Sequence, residues 1–311
     1  MAKIKPLPDD DLPIVDAHHH LWDLSGALKY PWLLSTEHGY LGDYTRLARS
    51  YMPDEFRRDS ALHNVIGTVH IEAECERNSV AQVGETAWLT EIAAQYGMPN
   101  AIVGHAWIDT PDAEEVLAQH KKFSLMRGIR TKPVTASVPD QSVAGQPRSI
   151  QDPKWRAGLA LLTKYDLSWD LRVPWWHLEE VSGVVAEHPN MRIVLNHTGY
   201  PLHRTPEALA GWRRGMEKLA VHPNVHCKIS GLTVYGAAWT LEANAPIIRD
   251  TIAIFGVERC MFASNFPVDG VKGSWDHIFS SFKRAVADRP LADRKKLFAD
   301  NAIAFYRMQL P

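Results

Sequence analysis

"NVIGTVHIEA", Asn64–Ala73, followed by "SVAQVGETAWLTEIAAQYG", Ser79–Gly97, decides the fold. The first stretch reads as a short strand. In the second, Val80, Val83, Ala87, Ile92 and Tyr96 recur at near-helical spacing, and Gly97 supplies a stop. A strand followed directly by a helix is one unit of an α/β fold, and the same alternation runs outward in both directions. "PIVDAHH" precedes it. "NAIVGHAWID" (100–109), "LMRGIRTK" (125–132), "LSWDLRV" (167–173), "MRIVLNHTG" (191–199), "NVHCKISGL" (224–232) and "ERCMFASNFP" (258–267) follow it. Helical segments are expected from Pro111, whose first turn is acidic, and near 153–165, 178–188, 206–221, 242–256, 275–288 and 291–307.

Eight strand runs in 311 residues predict a single-domain (β/α)8 TIM barrel over 1–311. An open doubly wound sheet is the alternative, disfavoured because no GxGxxG or P-loop follows an early strand. Hydrophobic residues make up 45% and charged residues 23%, enough for a sizeable core. The net charge of −2 implies no general attraction to nucleic acid or to an acidic membrane. Cys75, Cys227 and Cys260 are odd in number and widely spaced, and the opening "MAKIKPLPDDDLP" has no apolar signal core. A reduced, cytoplasmic protein is the expectation, with a homodimer as the common oligomer.

A barrel makes a claim about chemistry, because active residues belong at the C-terminal ends of strands and in the loops beyond them. His18 and His20 lie after the first strand, two residues apart and so on one side of an extended chain. His19 points elsewhere. His197 ends the sixth run, and Asn265 ends the eighth. Arg130, Lys132, Arg172 and Lys228 supply positive charge, and an arginine clamps a carboxylate with two parallel bonds. Trp22, Trp175, Trp176, Tyr200, Tyr235 and Trp239 offer an aromatic wall, with Trp22 and Tyr200 the foremost candidates to bind substrate. Residues 23–60, with Tyr30, Trp32, Tyr40, Tyr44 and Tyr51, and residues 133–152 are expected as active-site loops.

"VDAHHHLWD", "GIR" at 128–130, "VLNHTGYP", "CKISGL", "FASNFPVD" and the closing "NAIAFYRM" together resemble the amidohydrolase superfamily, in its amidohydrolase-2 branch of lactonase-like hydrolases. The resemblance implies a TIM barrel that hydrolyses a cyclic ester, most often a lactone of a sugar acid or of an aromatic-breakdown intermediate, and the arginines at the mouth point to a small, carboxylated one. It also implies catalytic roles for His18, His20, His197 and the residue at 265. That last position departs from the pattern: the branch's strand-eight aspartate, a metal ligand and base, is Asn265 here. An amide does not take up a proton at neutral pH. Two states therefore stay open. One has a single divalent metal, zinc foremost, on His18, His20 and His197; the other has no metal. Asp269, Asp16 and an unligated histidine are the remaining candidate acids and bases. Alternative functions are a metal-dependent decarboxylase or amide hydrolase on the same scaffold, and a ligand-binding barrel that lost catalysis with its aspartate.

Overall fold

The computed structural model describes residues 11–35, 42–76 and 79–310. Tyr40 and the first ten residues of the N-terminal stretch lie outside them. Eight strands pair in parallel in chain order: β1 (Ile14–His19), β2 (Val65–Ile71), β3 (Ala101–Gly104), β4 (Met126–Ile129), β5 (Ser168–Leu171), β6 (Ile193–Leu195), β7 (Val225–Ile229) and β8 (Cys260–Phe262). A helix follows each: α1 (Pro53–Ser60), α2 (Ser79–Tyr96), α3 (Ala113–His120), α4 (Pro153–Lys164), α5 (Leu178–Ala186), α6 (Pro206–Ala220), α7 (Leu241–Phe255) and α8 (Trp275–Ala285). This is the predicted (β/α)8 barrel. The C-terminal segment, expected as one helix over 291–307, is helical over Leu291–Lys295, widens into a π-turn at Lys296–Asp300 and resumes over Asn301–Tyr306.

The ring closes between β1 and the end of β8. Asn265 N donates to His18 O at 2.8 Å, and His20 N donates to Phe266 O at 2.7 Å. Asp16 clasps the same seam. Its carboxylate accepts from Ser264 N (2.8 Å), Ser264 Oγ (2.5 Å), Trp275 Nε1 (3.2 Å) and His18 N (3.3 Å). Burial pushes the Asp16 carboxyl up to about 6, against the pull of these donors.

Two apolar cores result. The larger lies between barrel and helices. The smaller fills the barrel itself with Val15, Ala17, Val69, Ile71, Val103, Val194 and Met261, plugged from below by Ala302, Phe305 and Tyr306 of the last helix. Among these apolar groups, Lys228 and Asp170 form a wholly buried ion pair at 2.6 Å, and Tyr306 Oη donates to the same carboxylate at 2.9 Å.

Two further sequence expectations need correction. Residues 53–60, expected within a loop, form α1, with Pro53 at its start, acids in its first turn and Arg57 and Arg58 in its last. The buried face of α2 is Gln82, Glu85, Thr86, Leu89 and Ile92, not the Val83–Ala87–Tyr96 stripe. Its polar residues are buried because they serve neighbouring loops: Gln82 accepts from Trp107 N and Glu85 from Ala73 N. The Val80 side chain lies outside the described part. Residues 133–152 dock against the loop after β5, where Ala136 N donates to His177 and Ala136 O accepts from Trp176.

Candidate active site

Val15 and Ala17 face the barrel interior, so simple alternation would send His18 outward. The pairing of β1 with β2 shifts register between Asp16 and His19. That irregularity reverses the phase and turns His18 and His20 inward. His19 then packs outside the barrel, its ring 4.8 Å from that of Phe56 and 5.6 Å from that of His70.

At the end of β6 the chain makes a left-handed turn. His197, Thr198, Gly199 and Tyr200 all have φ between +50° and +69°. This brings the His197 ring to 4.5 Å from the His18 ring, while the His20 ring is 5.1 Å from His18 on another side. His20 Nδ1 bonds the Ile71 carbonyl at 2.7 Å, and His197 Nδ1 bonds Ser230 Oγ at 2.9 Å. Each bond fixes a ring and leaves its Nε2 unclaimed by that contact. His18 is wholly buried with neither ring nitrogen hydrogen-bonded. Burial, then Lys228, holds His18 well below the usual histidine range. Burial, then Arg130, does the same for His197 and takes His20 down to about 3. All three rings are therefore neutral at pH 7.

A cavity of about 220 Å³, lined by His20 and His197 but not by His18, opens at the C-terminal mouth of the barrel. Its wall takes His20, Trp32 and Tyr44 from the region after β1, Ala73 and Glu74 after β2, and Arg130 after β4. Arg172 comes after β5, His197 and Tyr200 after β6, and Asn265 and Val268 after β8. Among the described residues, eight non-glycine positions have positive φ, and four of them (Glu74, His197, Tyr200 and Asn265) line this cavity. Strained backbone of this kind concentrates where side chains must be aimed.

The mouth carries a charge cluster. Arg130 Nε donates to Glu72 Oε1 at 2.7 Å, Lys132 pairs with Glu74, and Arg172 Nε donates to Tyr200 Oη at 2.7 Å while covering its ring. Burial opposes charge on Arg130, but Glu72 and Glu74 win and raise its pKa. Burial likewise pushes Glu74 up, and Lys132 reverses this and holds it below the usual carboxylate range. Lys132 itself is brought down to about 7 by burial. Three cations against two carboxylates leave one positive charge in excess when Lys132 is protonated.

A family model described as amidohydrolase matches residues 15–308. The chain belongs to the amidohydrolase family. It is 38% identical over 299 residues to the uncharacterized protein y4mH of Sinorhizobium fredii, covering 96% of this chain and 99% of that one. It is 30% identical over 309 residues to an L-fucono-1,5-lactonase of Burkholderia multivorans, covering 96% and 97%. A crystal structure of an amidohydrolase from Burkholderia multivorans with bound zinc superposes with a TM-score of 0.78 at 27% identity, over 95% of this chain and 99% of that one.

Amidohydrolases of this family are typically metal-dependent hydrolases. The donor set here suits a divalent ion in one respect: three neutral imidazoles, two with the second nitrogen tied and one with both nitrogens orphaned in the interior. It lacks the carboxylate of strand eight. Among the described residues, no group of three His, Cys, Asp or Glu side chains is placed to hold a metal ion. The imidazoles suit a single ion by donor type alone.

The amidohydrolase barrel thus brings together His18, His20, His197, Asn265, Arg130, Arg172 and Tyr200. It does not bring Trp22 to the cavity. That indole is fully buried, donates to Arg49 O at 2.7 Å and packs edge-on beneath Trp32, so it backs the wall that Trp32 and Tyr44 form. Of the other aromatic candidates, Tyr235 is exposed and Trp239 is buried in the core. Glu74 went unnoticed in the sequence; only its place just past a strand end could have flagged it.

Gly231, at the end of β7, has φ +59°, and a Cβ there would lie 2.6 Å from Cγ and Nδ1 of His197. Gly231→Ala is expected to displace the His197 ring and lower turnover by at least about a hundredfold, the usual scale for a misplaced reacting group. Steady-state kinetics on folded variant, verified by circular dichroism, measures this.

Proposed function

We propose that this amidohydrolase hydrolyses a small lactone carrying one carboxylate. One observation carries the reading: the neutral His20 and His197 line a cavity, the buried His18 ring lies against both, and the mouth carries an excess positive charge while Lys132 is protonated. The lactonase relatives, at 30% and 28% identity, support lactone chemistry. In this reading the lactone ring lies against Trp32 and Tyr44, its carboxylate meets Arg172 and Arg130, and its carbonyl points to the histidines. A divalent ion, zinc by analogy with the zinc-bound neighbour, would be held by His18, His20 and His197 and would polarise that carbonyl.

A histidine with a pKa near 3 stores a proton poorly at neutral pH, so His20 serves as a donor to the ion or an acceptor for water, not as the base. Asn265 orients the attacking water. Water oxygen bonds to the carbonyl carbon, the acyl–oxygen bond of the ring breaks, and the proton from water ends on the released ring oxygen. A second reading, an uncharged sugar lactone, is favoured by the Glu74 carboxylate in the wall, which can accept from ring hydroxyls, and by the relatives.

The test is a panel of carboxylated and neutral five- and six-membered lactones, with metal content measured on the same preparation. Turnover of a carboxylated lactone, abolished by chelation and restored by zinc, is the expected result. No turnover of any lactone with zinc present sinks the reading. Arg172→Ala is expected to raise KM for the carboxylated lactone by about tenfold, one charge-assisted contact, with little change in kcat. Lys132 is charged below its pKa of about 7 and neutral above it. KM for the anionic lactone should therefore rise about threefold to fivefold from pH 6 to 8, the scale of one partly screened charge. A neutral lactone should show no such rise.

A further inference from the structure

Asn265 is tied to Asp269 twice. Asp269 N donates to Asn265 O at 3.1 Å, and Asn265 Nδ2 donates to Asp269 Oδ1 at 3.0 Å. Asp269 lies in the short 3₁₀ turn Val268–Val271, is 1% exposed and does not line the cavity, whereas Asn265 does. Its carboxyl is pushed up to about 7 by burial, against the pull of Asn265, Thr233 and the Gly231 backbone.

We infer that Asp269 is a positioning residue, holding the NH2 of Asn265 so that the amide presents only its carbonyl oxygen to the cavity. Asn265 Nδ2 is the donor in the 3.0 Å contact, so the NH2 branch of the planar amide faces Asp269 and the oxygen faces away, an orientation enforced whenever the carboxyl is ionised and can only accept. Position 265 would then offer water the same kind of atom an aspartate would, an oxygen that accepts a hydrogen bond. The negative charge sits one group further back. The left-handed backbone at Asn265, φ +55°, fixes the direction from which that oxygen points. Asn265→Asp would set two carboxyl groups at the present 3.0 Å contact, where like charges disfavour joint ionisation. In this design the carboxylate and the amide are therefore not interchangeable.

This inference rests on the hydrolase reading for its kinetic test and on the structure alone for its spectroscopic one. In Asp269→Asn the partner can donate as well as accept, so the amide of Asn265 is free to reverse. The expected result is a kcat lower by about tenfold to hundredfold with KM within about twofold, the scale for removing the partner that orients a reacting group. In wild-type protein labelled with 15N-asparagine, the Asn265 side-chain amide, assigned by its loss in Asn265→Ser, should exchange with solvent far more slowly than exposed asparagine amides. Folded Asp269→Asn with unchanged kcat overturns the inference, and so does a freely exchanging Asn265 amide in the wild type. If Asp269→Asn does not fold, the wild-type amide exchange decides alone. If the wild type turns over no lactone, the hydrolase reading fails while the amide measurement still tests the inference.

Discussion

Replacing His197 by alanine is expected to cut lactone turnover by at least about a thousandfold, the upper range for losing one pre-aimed polar group at a reacting centre. His197 is the least replaceable of the three imidazoles. It reaches the floor of the cavity only because four successive residues adopt left-handed backbone, and its ring is gripped by Ser230 and pressed against Gly231. The same variant should lose most of its bound metal, measured by elemental mass spectrometry on gel-filtered protein. His19→Leu is the control. His19 faces α1 and His70 on the other side of the strand, so its replacement should leave turnover per folded molecule within about threefold of wild type. Retention of more than a tenth of the activity in His197→Ala contradicts the assignment of His197 to the reacting centre.

Asp16→Ala is expected to cost about 4 kcal/mol of stability, since it orphans four buried donors that each lose roughly 1–3 kcal/mol with only partial relief. Asp16→Asn keeps an acceptor for Ser264 N and should cost about 1 kcal/mol. The wild type also carries a pH signature. The carboxyl has a folded pKa of about 6 against about 3.9 unfolded, so the folded state binds its proton more readily. For an acid shifted this way, stability is greatest below pH 4 and is lost as pH rises from about 4 to 6. The loss is two units at about 1.4 kcal/mol each, or about 3 kcal/mol. The buried histidines act in the opposite direction over part of this range, so the comparison must be between wild type and Asp16→Asn under identical conditions. Urea unfolding at pH 4.5 and pH 7 should show the wild type losing about 2 kcal/mol relative to Asp16→Asn between the two, since about 1 kcal/mol is already lost below pH 4.5. An unchanged difference rules out Asp16 as the group responsible.

The strands were legible because every one is buried along nearly its whole length and announces itself as an apolar run. Their ends were not. "MRIVLNHTG" reads as one strand over 191–199, yet pairing stops at Leu195, because the chain turns left-handed at His197. No residue type in "NHT" demands that turn. His18 and His20 were visible as a pair, and their inward direction depends on a register slip in β1 that spacing alone does not disclose. Trp22 looked like a binding residue because it follows a strand, but the chain folds back over it and buries it beneath Trp32. The helix at 53–60 carried its proper signals in Pro53, Asp54, Glu55, Arg57 and Arg58, and was hidden by the low apolar content of "PDEFRRDS". Arg130 was legible as a mouth residue, and its commitment to Glu72 follows from β2 and β4 flanking β3 in the barrel.

The clasp at Asp16 also sets when the site can exist. Its partner Ser264 lies 248 residues further along the chain. During synthesis the first strand emerges with its histidines early, and the residues that close the ring beside them leave the ribosome late. The nascent chain thus carries half a site and an unsealed strand edge for most of its translation, the period when such edges recruit wrong partners. Activity arrives only when the eighth strand docks, so a chain cut short before Cys260 would hold seven of its eight strands and no reaction centre.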